Sequence, residues 1–307
     1  MPSRPSQKRL GDREITVLVS LWRWGVLSTS ALCSRRYFPT ACPQRAYNRL
    51  LDLRDLRLIE MVGDGKCQNC GWVLTVNGFR AIREYLPALR EEGYCIEHFT
   101  HDFLTTTFHL GDWLLRRPEN VSLFSEQELR RVALEDFPAW VPTSVWHRPD
   151  GYFGFKKDNV YKVVAIEVEL NRKPSARYIS LAEAYAEDTR IERVLWLVRE
   201  QSLALRIQKV MADAHSRSLH HFIFLNDFLA LGWCAKIANG QDRGKSVRDL
   251  LCEIAGEKPV ESGEPSTTLL LLDSRRSPKK SKKLPLSSSG DGSATDLGLT
   301  QVSQSIG

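Results

Sequence analysis

Residues 149–173 have the sequence PDGYFGFKKDNVYKVVAIEVELNRK. Two runs rich in aromatic and β-branched side chains flank the polar tetrapeptide of residues 156–159, and this pattern predicts a β-hairpin. If the turn is centred on Asp158-Asn159, the register of the pairing places Asp150 directly opposite Glu167.

The acidic residues of this hairpin predict a metal site. Glu167 and Glu169 lie on one face, since residues two apart in a strand point the same way. Cross-strand partners have Cβ atoms roughly 4.5–5.5 Å apart, so Asp150 and Glu167 would repel each other without a cation between them. A hard divalent ion such as Mg²⁺ takes oxygen ligands and removes that conflict. The alternative is that these acids are exposed charges on an amphipathic hairpin.

The composition indicates a chain of two modest domains and a tail. It has 307 residues, of which 42% are hydrophobic, and no apolar run is long enough to span a membrane. The N-terminus lacks the apolar core of a signal peptide, and seven irregularly spaced cysteines argue against a disulfide framework. We therefore expect a cytoplasmic protein that does not contact a membrane.

The positive charge is concentrated in the first third of the chain. The net charge is +6. Residues 1–95 contain 15 basic and 9 acidic side chains, whereas residues 96–255 contain 21 and 22. A polyanionic partner such as DNA is thus expected to bind the first of these regions.

The first region, residues 1–95, has the element order of a winged helix-turn-helix. Apolar spacing and capping residues predict helices over Glu14–Trp24, from the N-cap Ser28 to about Arg35, over Pro43–Leu53, and over Asn77–Leu89. Strands are expected at Leu56–Val62 and Gly71–Thr75, with a turn at Gly63-Asp64-Gly65 between them.

The third predicted helix carries the candidate DNA-binding residues Gln44, Arg45, Asn48 and Arg49. Arg, Asn and Gln make bidentate contacts to base edges in the major groove. The alternatives are a solvated polar face on an ordinary three-helix unit and a winged helix that contacts another protein. In the predicted wing, Cys67-Gln68-Asn69-Cys70 has the spacing of a zinc half-site. The nearby candidates for a second ligand pair, Cys95 and His98, lie beyond a whole helix, so two free thiols are the alternative.

The second region, residues 96–255, predicts the order α-β-β-β-α-β followed by αβ, which makes the chain α/β (α+β) overall. The expected elements are a helix at Glu97–Arg117, a strand at Val121–Phe124, the hairpin, a helix at Ser175–Asp188, a strand at Val194–Val198, a helix at Leu203–His215 and a strand at His221–Leu225. This order resembles the PD-(D/E)XK restriction-endonuclease-like fold. Pro149-Asp150 resembles its first motif and Glu167 its second, while Glu169 stands where that fold usually has lysine.

The two regions together resemble the replication-relaxation family, which includes the MobC-type plasmid relaxases. The resemblance spans about residues 12–230 and rests on the winged helix, the pair His101-Asp102, and Pro-Asp followed by Glu-x-Glu-x-x-x-Lys. It implies that Asp150, Glu167, Glu169 and Lys173 form the catalytic set and that the three acids hold Mg²⁺ or Mn²⁺. It also implies double-stranded DNA at a plasmid origin of transfer as the partner, with accessory mobilisation proteins and a coupling ATPase.

The leading expectation is therefore a relaxase that nicks one strand of origin DNA by metal-dependent hydrolysis, without a covalent tyrosine intermediate. The alternatives are a non-catalytic DNA-binding protein for plasmid replication or transcription control and a restriction-type endonuclease. Tyr178 and Tyr185 lie on the next helix, where packing competes with a nucleophilic role. His101 is expected to be a polar residue at a helix start, with a contribution to the site as the alternative.

Residues 256–307 are rich in Ser, Gly, Pro and Lys and predict a disordered tail. Its basic run, Arg275–Lys283, would add affinity for DNA of any sequence. The alternative is a solvated tail with no function.

Overall fold

The structure, a computed structural model, describes residues 10–38, 42–63, 70–143, 147–211, 217–257 and 266–272. It is a mixed α/β architecture with a three-stranded sheet and a five-stranded sheet. None of the helices in these ranges is both long enough and apolar enough to cross a membrane.

The N-terminal unit contains the predicted helices and the predicted strand pair. Its elements are α1 (Asp12–Trp24), β1 (Val26–Leu27), α2 (Thr29–Leu32), α3 (Pro43–Asp55), β2 (Ile59–Gly63), β3 (Cys70–Leu74) and α4 (Val76–Ile82). Gly25 ends α1 with a φ of 72°, the Ser28 hydroxyl accepts a hydrogen bond from the Ala31 N–H, and Pro43 is the first residue of α3. The short strand β1 was not predicted, and it makes the sheet order β1-β3-β2.

The helix predicted over Asn77–Leu89 is shorter than expected. Helix α4 ends at Ile82 and a single 3₁₀ turn follows over Arg83–Tyr85. Leu86 then takes an extended conformation, because a residue before proline is disfavoured in the helical region. Asp64 and Gly65 of the predicted wing turn, and Cys67 of the Cys-x-x-Cys motif, lie outside the described residues.

From its first helix to its last strand the second unit has the predicted order, with one additional helix between the first strand and the hairpin. Its elements are α5 (Phe99–Leu110), β4 (Val121–Ser125), α6 (Glu126–Arg131), β5 (Gly151–Lys157), β6 (Val160–Glu169), α7 (Ser175–Glu187), β7 (Ile191–Val198), α8 (Gln201–Val210) and β8 (His220–Phe224). The sheet order is β4-β5-β6-β7-β8. The first three strands are antiparallel neighbours, and β6, β7 and β8 run parallel to one another.

Helix α5 ends earlier than the predicted Glu97–Arg117. The chain leaves the helix at Gly111, where φ is 47°. A Cβ at this position would lie 1.7 Å from the Trp233 side chain, so both the backbone angle and the close contact require glycine.

The β-hairpin has the predicted turn and the predicted register. Asp158 and Asn159 have φ angles of 50° and 62°, which is the requirement of a two-residue type I′ turn. The pairing runs from Lys157 opposite Val160 to Gly151 opposite Ile166. Continued by one residue, this register places Asp150 opposite Glu167.

The predicted boundary at residue 95 does not separate two hydrophobic cores. Buried apolar residues of both units form one contiguous cluster. At their junction, the Thr106 hydroxyl donates to the Trp24 carbonyl oxygen at 2.6 Å, and the rings of Trp24 and His109 meet edge to face. Arg23 of α1 pairs with Glu128 of α6 at 2.8 Å.

Part of the predicted disordered tail is ordered. Three further helices complete the described chain: α9 (Leu225–Leu231) and α10 (Val247–Ala255) lie within residues 96–255 and were not predicted, and α11 (Thr268–Leu272) lies in the predicted tail. The carboxylate of Asp112 accepts hydrogen bonds from the Ser266 hydroxyl and from the N–H and hydroxyl of Thr268, and Leu271 is buried. A buried carboxylate needs such hydrogen-bond donors. The prediction of disorder came from the overall composition of residues 256–307, which does not show that Ser266 and Thr268 bond to Asp112. Arg275–Lys283 lies outside the described residues.

Candidate active site

Asp150 is held at the start of the hairpin by the backbone of β6. Its N–H donates to the Ile166 carbonyl oxygen at 3.0 Å, and its Oδ2 accepts from the Val168 N–H at 2.6 Å. Burial opposes ionisation here, but the hydrogen bonds from His101 and from the Val168 N–H hold the pKa of Asp150 below its usual value. Asp150 is therefore a preformed anion at this edge of the sheet.

Glu167 lies on β6 beneath α7. Its Oε1 contacts the Nε2 of His147 at 2.5 Å and accepts a hydrogen bond from the Tyr185 hydroxyl. The side chains of Glu167 and His147 are 8% and 6% exposed. The packing of these three groups fixes the orientation of the Glu167 carboxylate.

Glu169 and Lys173 form an ion pair at the end of β6. Their charged atoms lie 2.9 Å apart, and the Glu169 side chain is buried while that of Lys173 is 46% exposed. Burial, together with the nearby charges of Glu167 and Asp150, raises the pKa of Glu169, against the opposing effect of Lys173. The four residues thus share one electrostatic environment, in which Lys173 is the group that faces solvent.

A second set of ligating groups surrounds Asp150. His101, Glu126 and Asp150 each offer one ligating atom, and these atoms lie within 4.8 Å of one another. Among the described residues, no other three His, Cys, Asp or Glu side chains bring their ligating atoms so close together. This set shares Asp150 with the predicted set of Asp150, Glu167 and Glu169. The structure therefore brings the predicted acids to one end of the sheet, and gathers two unpredicted partners around the first of them.

His101 takes part in the site, beyond its place at a helix start. Its Nδ1 lies 3.1 Å from Asp102 Oδ1, and its Nε2 lies 3.5 Å from Asp150 Oδ2. Burial opposes the charged form, but the two carboxylates outweigh it and raise the pKa of His101 to about 11. Burial and the charge of Asp150 raise the pKa of Glu126 to about 8.

Sequence reasoning missed Glu126 and His147. Glu126 opens α6, whose capping box is complete, since the Ser125 hydroxyl accepts from the Glu128 N–H and the Glu128 carboxylate accepts from the Ser125 N–H. The pattern Ser-x-x-Glu is visible in the sequence and would have predicted this helix start. His147 has no comparable signal beyond its position in the loop before Asp150.

The four predicted DNA-binding residues lie together on α3. Gln44, Arg45, Asn48 and Arg49 are all exposed on one face, and the amide of Gln44 donates to that of Asn48 at 3.0 Å. The opposite face buries Ala46, Leu50 and Leu53.

Tyr178 and Tyr185 are both packed into the core between α7 and the sheet. Tyr178 is fully buried and its hydroxyl accepts from the Lys173 N–H, while Tyr185 is 2% exposed. Neither hydroxyl faces solvent, which favours the packing interpretation over a nucleophilic one.

Comparison of the chain with protein-family models, characterised proteins and solved structures gives no match.

Proposed function

We propose that this protein is a metal-dependent DNA endonuclease that nicks one strand, and that it acts as a relaxase on a plasmid origin of transfer. The observation that carries the proposal is the placement of Asp150, Glu167 and Glu169 at one end of the sheet, where Lys173 pairs with Glu169 at 2.9 Å and lies in the field of the other two acids. On this proposal the N-terminal unit is a winged helix and the second unit is of the PD-(D/E)XK type.

The donor types suit a divalent cation, although the ligating atoms of the three acids do not all lie within 4.8 Å of one another, so side chains of Glu167 and Glu169 would have to turn toward Asp150 to share one ion. The carboxylates of Asp150, Glu167 and Glu169 offer the oxygen ligands that Mg²⁺ and Mn²⁺ prefer. Burial and like charge raise the pKa of Glu169, which indicates an excess of negative charge that a cation would neutralise. When bound, such an ion lowers the pKa of its water and offsets the charge of the phosphate.

The remaining groups have positioning and electrostatic roles. His147 and Tyr185 hold the Glu167 carboxylate in one orientation. The half-exposed ammonium group of Lys173 is placed to bind a phosphate oxygen, where it stabilises the charge that develops during hydrolysis. Since the hydroxyls of Tyr178 and Tyr185 are buried, water is the nucleophile in this scheme.

The exposed face of α3 supplies DNA binding. Two arginines and two amides stand side by side there, a combination that pairs with phosphates and with base edges. The relaxase role further implies accessory mobilisation proteins and a coupling ATPase as partners.

The test is conversion of supercoiled plasmid carrying the cognate origin into open circles with Mg²⁺ or Mn²⁺. Asp150→Asn and Glu167→Gln should abolish nicking and leave DNA binding intact. Glu192→Gln is the matched control, since Glu192 lies on β7 at the opposite end of the sheet, paired with Lys162.

Two outcomes would favour the other candidates. Equal nicking of plasmids without the origin would favour a restriction-type endonuclease. DNA binding without nicking, with metal and partner proteins supplied, would favour a non-catalytic regulator. That second candidate has one observation in its favour, because the imidazolium of His101 beside Asp150 supplies a positive charge without a metal.

A further inference from the structure

Three side chains from separate elements converge beside the acids described above. His101 lies in the first turn of α5, Glu126 opens α6, and Asp150 precedes β5. Their ligating atoms lie within 4.8 Å of one another. Ligands of one ion sit about 2.0–2.2 Å from it, so opposite ligands are about 4 Å apart, and small side-chain adjustments would close this set on a cation.

The carboxyl group of Glu126 is partly buried and short of hydrogen-bond partners. No described residue donates a hydrogen bond to it, and it faces the charge of Asp150. The positive groups near it are His101 and Arg148, while Arg23, which lines the same region, is engaged by Glu128 and by the Leu123 carbonyl oxygen. A group that supplies positive charge and ligand bonds would satisfy this carboxylate.

A second, independent observation comes from a small cavity against the cluster. It has a volume of about 10 Å³, the size needed for a single water, and Glu126, Asp150, Thr105 and His109 are among the residues that line it. His101, Thr105 and His109 are spaced four apart on α5, so they share a face of the helix.

Two buried polar atoms at this cavity lack partners. Thr105 and His109 are 5% and 1% exposed, and the Oγ1 of Thr105 and the Nδ1 of His109 have no hydrogen-bond partner. The Nε2 of His109 lies 3.0 Å from the Tyr152 carbonyl oxygen. Because a carbonyl only accepts, Nε2 carries the proton and Nδ1 keeps a lone pair that requires a donor. A metal-bound water is such a donor.

We propose that His101, Glu126 and Asp150 bind one divalent first-row transition-metal cation, that this ion takes the place of the Nε2 proton of His101, which is released to solvent, and that water on the ion occupies the cavity beside Thr105 and His109. This site shares Asp150 with the oxygen-only set of Asp150, Glu167 and Glu169 and differs from it in His101 and Glu126. Its imidazole ligand suits a first-row transition ion such as Fe²⁺, Ni²⁺ or Zn²⁺ over Mg²⁺ and Ca²⁺, and Mn²⁺, the weakest binder of that series, serves as the paramagnetic probe. The proposal stands independently of nicking, since metal binding can be measured without DNA.

The test is pulsed electron paramagnetic resonance on the full chain, freed of metal and loaded with Mn²⁺. A histidine ligand transfers spin density to its nitrogen, so the wild type should show ¹⁴N modulation. His101→Gln should remove it, and His147→Gln, which alters the imidazole beside Glu167, should retain it. Absence of ¹⁴N modulation in the wild type, or its loss in His147→Gln with retention in His101→Gln, would overturn the proposal.

A second pair of variants keeps the test decisive if His101→Gln fails to fold, as judged by its thermal unfolding. Glu126→Gln preserves shape and should lower the affinity of the nitrogen-coordinated Mn²⁺ by at least about tenfold. Glu169→Gln should leave the nitrogen signal and its affinity unchanged. If Glu126→Gln and Glu169→Gln change the affinity of the nitrogen-coordinated Mn²⁺ equally, Glu126 is not a ligand and the proposal is contradicted.

Discussion

The carboxylate of Asp150 accepts a hydrogen bond from the Val168 N–H at 2.6 Å. This bond ties the start of β5 to the backbone between Glu167 and Glu169, so the side chain of Asp150 is placed by the sheet itself. A carboxylate held by backbone donors before ligand binding loses little side-chain entropy when it binds a cation. The site is in this sense preorganised around Asp150.

Lys173→Met is expected to reduce single-turnover nicking by about 10²–10³-fold at saturating metal, because one positive group that faces the phosphate is lost. The methylene stem is retained, while the buried Glu169 carboxylate loses its ion-pair partner. Lys162→Met is the matched control, since Lys162 lies on β6, far from the acids, and pairs with Glu192 of the neighbouring strand β7. Gel analysis of plasmid topology measures both rates, and an unchanged rate in Lys173→Met would remove this residue from the mechanism.

Tyr178→Phe and Tyr185→Phe are expected to nick DNA without forming a protein–DNA adduct, because both hydroxyls are buried. Tyr185→Phe should lower the free energy of unfolding by about 1.5–3 kcal/mol, the usual contribution of a hydrogen bond to a charged group. Denaturant unfolding and protease treatment of the nicked strand measure these effects. A trapped adduct that one of the two variants abolishes would show that tyrosine, not water, attacks.

Arg45→Ala and Arg49→Ala in the full chain should weaken DNA binding and lower the slope of log affinity against log salt by about 1 for each lost phosphate contact. Arg54→Ala is the control, because Arg54 lies at the end of the same helix, exposed and paired with Asp55. Fluorescence anisotropy over a range of salt concentrations provides the measurement. Equal slopes in all three variants would assign the α3 face to a protein partner.

His109 should make the fold sensitive to mild acid. Burial lowers the pKa of His109 to about 3, so the residue stays neutral in the folded chain and gains a proton only on unfolding. Its stabilising contribution is complete above about pH 6.5, the ordinary value, and is lost as the pH falls toward 3. At pH 5 the loss amounts to about 2 kcal/mol.

His109→Gln is therefore expected to show a shallower fall in unfolding free energy between pH 7 and pH 5 than the wild type. The glutamine amide can still donate to the Tyr152 carbonyl oxygen. Urea unfolding in a metal chelator gives the two profiles, with the exposed His98→Gln as control. Parallel profiles of His109→Gln and the wild type would mean that His109 is protonated in the folded state.

Truncation should show how much α11 contributes to the stability of the fold. A chain that ends at Leu272 is expected to unfold at the wild-type temperature. A chain that ends at Pro265 should lose at least about 3 kcal/mol, because Asp112 loses donors and the burial of Leu271 is lost. Calorimetry compares the two, and equal stability would show that α11 contributes nothing to the fold.

Much of the local structure could be predicted from periodicity and turn residues. The hairpin register follows from Asp158-Asn159, since these residue types tolerate positive φ, and the buried and exposed faces of α3 follow from helical spacing. Both are properties of contiguous segments, where each residue's neighbours are set by the period of the helix or strand. The errors lie at element ends, such as α5, which stops where Gly111 meets Trp233.

The composition of the site depended on contacts that no local pattern specifies. His147 reaches Glu167 across 20 residues, and Ser266 reaches Asp112 across 154. The sequence shows that such polar groups exist, but their partners are chosen by how helices and strands pack. The acids of β6 could therefore be named in advance from the chain alone, whereas the meeting of His101, Glu126 and Asp150 required α5, α6 and β5 to be in place together.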